Sequence, residues 1–287
     1  MSFVLDGERP PGRRAAKLLL HELDAALAAL AAGAVSDASV HELRRCGKRS
    51  RALLRLVGDG LPGHAHLVTC WRRVGRTAAG LRDAAAMEAT LFGLQRDAPR
   101  LATVEDTGIA EQLRAFRVRA RHTLQQRVGG LVATLTVART RVAAWRPDFG
   151  WEVALEGLVD GYRRSRQAAR TAWRHPDPEW RHAWRKRCKS HALHLHLLAP
   201  LWPEMMTAWG GQWDELARRL GDEHDLHVLL TFLAALPRCA AGLVGVAERR
   251  ALAERRENDA LGQRLHAEGT ASLERRVRIY ARLAGMR

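Results

Sequence analysis

Lysine is nearly missing from this chain of 287 residues. Lys17, Lys48, Lys186 and Lys189 are the only four among 47 Lys and Arg, so the other cations are arginines. Acids are in short supply as well: 31 Asp and Glu leave a formal net charge of +16. Cysteine is limited to Cys46, Cys70, Cys188 and Cys239. These lack metal-type spacing and lie in apolar helical patterns, which predicts reduced core residues of a cytoplasmic protein. No apolar run is long enough to cross a bilayer; the longest, 18–35, is interrupted by His21, Glu22 and Asp24. Residues 1–14 have no apolar stretch after a basic start, so no secretory signal is expected there. Glycine-rich phosphate loops are absent, and no segment reads as a strand. These absences exclude a membrane protein, a nucleotide-binding α/β fold and a disulfide scaffold.

What is present is helix. Ala, Leu, Arg and Glu dominate, and Gly and Pro fall between segments of helical periodicity. A hydrophobic content of 47% with 27% charged residues fits a folded domain and not a disordered basic tail. The periodicity predicts an all-α protein with helices near 12–32, 38–58, 63–81, 83–96, 107–128 and 131–145. A second set is expected near 151–174, 177–199, 203–219, 222–236, 243–257 and 259–284. The stretch from Trp145 to Gly150 is the best break, giving one domain of two halves, 1–147 and 148–287.

The halves look like copies. His41, Arg44, Arg45 and Lys48 recur 141 residues later as His182, Arg185, Lys186 and Lys189. Downstream, Arg82-Asp83 matches His224-Asp225 with a one-residue slip, and Arg76 and Arg218 each stand seven residues before those aspartates. A match at one offset predicts an internal duplication, hence two pseudo-symmetric antiparallel bundles.

At 100° per residue His41, Arg44, Arg45, Lys48 and Arg55 share one sector, with Arg51 at its edge. In the second copy His182, Arg185, Lys186, Lys189 and His196 form a stripe. From His41 to Arg55 the row runs ~21 Å. Like charges one turn apart destabilise an isolated helix, and almost no acid sits four residues away to relieve them. An anion from outside is the economical explanation. Arginine forks with lysine point charges among them suit successive phosphates along a chain. Two more basic faces precede these helices: Arg13, Arg14, Lys17 and His21, then Arg163, Arg166 and Arg170. Together they predict a positive groove or pore between the halves. Asp83 and Asp225 read as acids that orient arginines, and His41 and His182 as phosphate donors or satisfied polar groups.

The doubled motif resembles the CHAD family, the conserved-histidine α-helical domain. Val40-His41-Glu42-Leu43-Arg44-Arg45 to Lys48-Arg49-Ser50-Arg51 resembles its first motif and His182 to Lys189 its second. Leu220-Gly221 to Asp225 resembles the signature that follows. The resemblance implies two helical bundles around a central basic pore that binds inorganic polyphosphate, often at polyphosphate granules. Ser190 and Ala192 stand where the first copy has Arg49 and Arg51, which predicts an asymmetric surface. Some members carry an N-terminal triphosphate-tunnel domain, for which the residues before Arg13 leave no room. The expectation is therefore binding without catalysis, no cofactor and no metal. His191, His194 and His196 do not share one helical face. Nucleic-acid binding explains the charge equally well, but calls for exposed aromatics or a reading helix. A phosphotransferase would need clustered carboxylates for a divalent cation, and the stripes have none. A small-anion or inositol phosphate binder is a variant of the main reading.

Overall fold

The computed structural model describes residues 2–7, 10–31, 35–97, 106–175, 177–235 and 241–286. Cys239 lies outside them. The described residues are all-helical. In order the helices are α1 (Pro11–Ala31), α2 (Asp37–Val57), α3 (His64–Thr77), α4 (Ala79–Asp97), α5 (Asp106–Ala143), α6 (Trp151–Arg174), α7 (Pro178–Leu197), α8 (Pro203–Ala234), α9 (Ala241–Leu265) and α10 (Thr270–Leu283). No helix among them is long and apolar enough to cross a membrane.

The starts follow local chemistry. Ser36 and Ser39 cap α2 reciprocally, each hydroxyl accepting the other's backbone N–H at 3.0 Å. Pro178 and Pro203 open α7 and α8, where a missing N–H costs nothing.

Twelve expected segments condense into these ten helices. The breaks expected at Gly129-Gly130 and around Gly221 do not occur, because buried residues keep helical register through both: Leu124, Leu131 and Leu135 in α5, Leu220 and Leu226 in α8. Helix-interior glycine costs ~1 kcal/mol, which tertiary burial overrides. The break expected near residue 258 falls instead between Leu265 and Thr270. Asn258 is buried inside α9, its amide donating to Glu223 Oε2 at 2.8 Å.

The pairs that position the motif helices are α1 with α2, α6 with α7, α7 with α8, and α2 with both α6 and α7. Gly157 sets the α2–α6 crossing, where a Cβ would lie 1.8 Å from the Leu56 carbonyl oxygen. The main core draws on helices from before and after residue 147, with Trp71, Trp184 and Trp213 fully buried in it. Cys46, Cys70 and Cys188 are buried free thiols, as their apolar setting predicts. A second, smaller core joins α4, α5, α8 and α9 through residues such as Leu91, Leu113, Leu229 and Leu243.

Candidate anion-binding site

The two motif stripes lie on α2 and α7, which pack against each other. Two polar contacts cross between these helices: Arg55 Nη1 donates to Ser190 Oγ at 3.3 Å, and His194 Nε2 to the Ala52 carbonyl at 3.0 Å. Equivalent positions of the repeat become neighbours. Arg44 and Arg185 influence each other's charge, as do Lys48 and Lys189.

Confinement depresses these cations. Burial, then Arg82 of α4, Arg51 two turns along α2 and Arg185 of α7, pulls Arg44 down to about 10 against a partial offset from Asp83. Arg55 keeps much of its surface open at the cleft, yet desolvation of its inner part, followed by Arg51, Arg187, Arg72 and Arg164, lowers it likewise to about 10. Lys189 falls to about 8 through burial and the proximity of Arg185, Lys48, Arg82 and Arg44. Lys48, Arg51, Arg185, Lys186 and Arg187 are lowered too, burial leading in each case. Desolvation and like charge both disfavour the cationic form, and only a nearby anion reverses both.

Beside this cluster His182 of α7 and His224 of α8 stack with ring centroids 4.1 Å apart. Burial, then Lys186, Arg185 and Arg82, holds His182 at about 4; burial and His182 hold His224 at about 3. His182 Nδ1 is buried without a partner. Arg82 closes the cluster on one side, donating to Asp83 at 2.8 Å and across to Asp225 of α8 at 3.0 Å. The two acids orient that arginine. On the other side the row opens into a cleft of about 940 Å³ between α2, α3, α6 and α7, where Arg51, Arg55, Arg72, Arg164 and Arg187 meet.

Not every expected residue joins. Arg14 turns inward, bonding to the carbonyls of Ser2 and Val4 and pairing with Asp6. Arg13, Lys17 and His21 are exposed on the rest of α1. The stripe on α2 is also less free of acids than its spacing suggested. Arg45 pairs with Glu42, three residues back, and Arg49 reaches the buried Glu22 while lying over Phe3. Arg166 donates to the His266 carbonyl, Arg163 pairs with Asp160 at the cleft wall, and Arg218 is held by Glu215 and Asp222. Arg170, Arg76 and His41 are exposed. His196 pairs with Asp214 at 2.6 Å, and Asp214 in turn acts on Lys48, which ties His196 to the edge of the cluster. His191 and His194 are buried, and no metal-binding group of three or more His, Cys, Asp or Glu occurs among the described residues.

Arg72, Arg164, Arg187 and His224 were not selected from the sequence. Arg187 stands at the repeat position that Cys46 occupies in the first copy, so the match itself hid it. Arg72 reaches the cleft only through the packing of α3 on α2.

No curated protein matches the chain. The model of the CHAD domain matches residues 14–234, well over half its length and covering both motif helices with the Arg82–Asp225 contact. The chain with this facing pair of basic helices belongs to the CHAD family.

Proposed function

We propose that the protein binds inorganic polyphosphate, without chemistry on it, in a basic groove between two pseudo-symmetric helical halves. One observation carries this reading. Arg44, Lys48, Arg51, Arg55, Arg185, Lys186, Arg187 and Lys189 crowd together from α2 and α7, yet none forms an ion pair with a described acid. Where arginine is buried elsewhere among the described residues it is matched, Arg14 by Asp6 and Arg181 by Glu223 and Asp259. A folded protein keeps such an unneutralised row where an anion completes it. The row from Arg44 to Arg55 spans ~16 Å along α2 and continues into the cleft, which suits an extended polyanion. Membership of the CHAD family, which is linked to polyphosphate binding, supports this polymer over others. In this reading the protein is cytoplasmic, associates with polyphosphate granules and is not an enzyme.

The test is a competition titration. Labelled long-chain polyphosphate competes with single- and double-stranded DNA of matched charge, near and above physiological salt, where generic counterion release weakens. Polyphosphate binding that survives there and is lost in Arg44→Ala/Lys48→Ala is the expected result. Equal loss of all ligands, indifferent to the mutations, would leave a generic basic surface.

A further inference from the structure

Arg185 is one of the arginines of the cluster that no described residue tethers. Arg82 is fixed by two carboxylates and Arg55 by Ser190. No hydrogen bond or ion pair to a described residue holds Arg185, and its Nε is buried and unpaired. What touches it is Gly221 of α8. A Cβ built on Gly221 would lie 2.7 Å from Arg185 Nη2 and 3.2 Å from both Cζ and Nε. The Nε–Nη2 edge of the guanidinium therefore lies close against a bare stretch of helix backbone, in space that any side chain at 221 would fill. Glycine within the 32-residue α8 weakens the helix, so a packing reason is needed, and this contact supplies one.

We infer that Gly221 is a positioning residue for polyanion binding: it is the seat that directs the Arg185 guanidinium into the cation cluster. This rests on the reading of the cluster as a polyphosphate site. Asp225, Asp222 and Asp83 pull on Arg185 electrostatically, but none pins it in a single orientation. The three atoms nearest a methyl at position 221 all belong to the flexible end of Arg185, so Gly221→Ala folds, with a better helix former in α8. Its cost falls on function.

The experiment measures long-chain polyphosphate affinity and thermal stability for Gly221→Ala, Arg185→Ala, the double variant, and Gly221→Ala in an Arg185→Lys background. Expected is about a tenfold loss for Gly221→Ala, comparable with Arg185→Ala, as befits one charge-assisted contact. The double variant is then no weaker than Arg185→Ala. In the Arg185→Lys background Gly221→Ala has no effect, because an unbranched ammonium chain does not need the room that glycine leaves for the guanidinium. Thermal stability of Gly221→Ala is unchanged or raised. A ligand-free readout accompanies it: the Arg185 Nε–H resonance, assigned by its absence in Arg185→Lys, moves in Gly221→Ala. Wild-type affinity in Gly221→Ala beside a weakened Arg185→Ala would overturn the inference and leave the site reading intact. Additive losses in the double variant would overturn it equally. No loss in Arg185→Ala would refute the site reading at that residue, and the inference with it.

Discussion

Polymer binding should draw protons from solution. In the free protein the stacked His182 and His224 titrate at about 4 and about 3, so both are neutral at pH 6. The groups that act on them are Arg82 and Asp83 on α4, Arg185 and Lys186 on α7, and His227 on α8. Cations prevail in that set. Phosphate oxygens laid across it offset the burial penalty as well as the repulsion, and move the rings back toward their ordinary range near 6.5. At 4.1 Å the first proton opposes the second, so about one proton is expected for the pair at pH 6. Lys189, at about 8, is half discharged at pH 8; restored to its ordinary range, it takes up about half a proton there. By linkage, an uptake of one proton strengthens binding about tenfold for each pH unit of acidification near pH 6. Isothermal titration in two buffers of different ionisation enthalpy, at constant salt, measures the uptake directly. Long-chain polymer is the right probe because its internal phosphates stay ionised throughout. His182→Gln/His224→Gln should abolish the uptake at pH 6 and spare that at pH 8. Heats independent of buffer at both pH values, with affinity flat from pH 5.5 to 8.5, would refute the reasoning.

Other outcomes test the remaining chemistry. His194 and His266 are buried with values near 4 and His191 lies well below its ordinary range, burial being the main cause in each. The unfolded chain, titrating near 6.5, binds more protons below that pH, so their stabilisation is complete above it and lost as pH falls toward 4. Melting temperature should therefore drop between pH 7 and 5 in the absence of ligand. Arg181→Ala strands Glu223 and Asp259 and should cost about 3–5 kcal/mol in urea unfolding, with polyphosphate affinity unchanged. Gly157→Ala drives a methyl into the Leu56 carbonyl and should destabilise by at least about 1–3 kcal/mol, read by the same titration. Arg82→Ala removes one cation but also frees Asp83 and Asp225 to repel the polymer, so its affinity should fall further than that of Arg76→Ala, whose side chain is exposed.

The helical class and the two motif helices were legible in the sequence because periodicity and the repeat of His, Arg and Lys are local patterns. Helix ends marked by Ser36, Pro178 and Pro203 were legible for the same reason. Glycine misled in the other direction: Gly221 reads as a break, yet it lies inside α8 to make room for an arginine on α7. Which arginines are free was not legible. Arg14 and Arg49 carry the same sequence signal as Arg44 and Arg51, and only the fold assigns them to Asp6 and Glu22, whereas the Arg45–Glu42 pair lies one turn apart on α2 and was open to reading from the spacing. Arg72 and Arg187 enter the cleft from positions that no single-helix projection selects.

Helix α8 behaves as a beam resting on two piers. Its first half, through Leu220, is embedded in the main core, and from Leu226 onward it belongs to the smaller one. The span between the piers is the stretch from Gly221 to Asp225, which supplies His224 and Asp225 to the cation cluster. A polymer gripped there ties the beam at mid-span to α2, α4 and α7. Occupancy should therefore appear as slowed amide exchange in the distal α4–α5–α8–α9 bundle, though no residue of that smaller core need touch a phosphate.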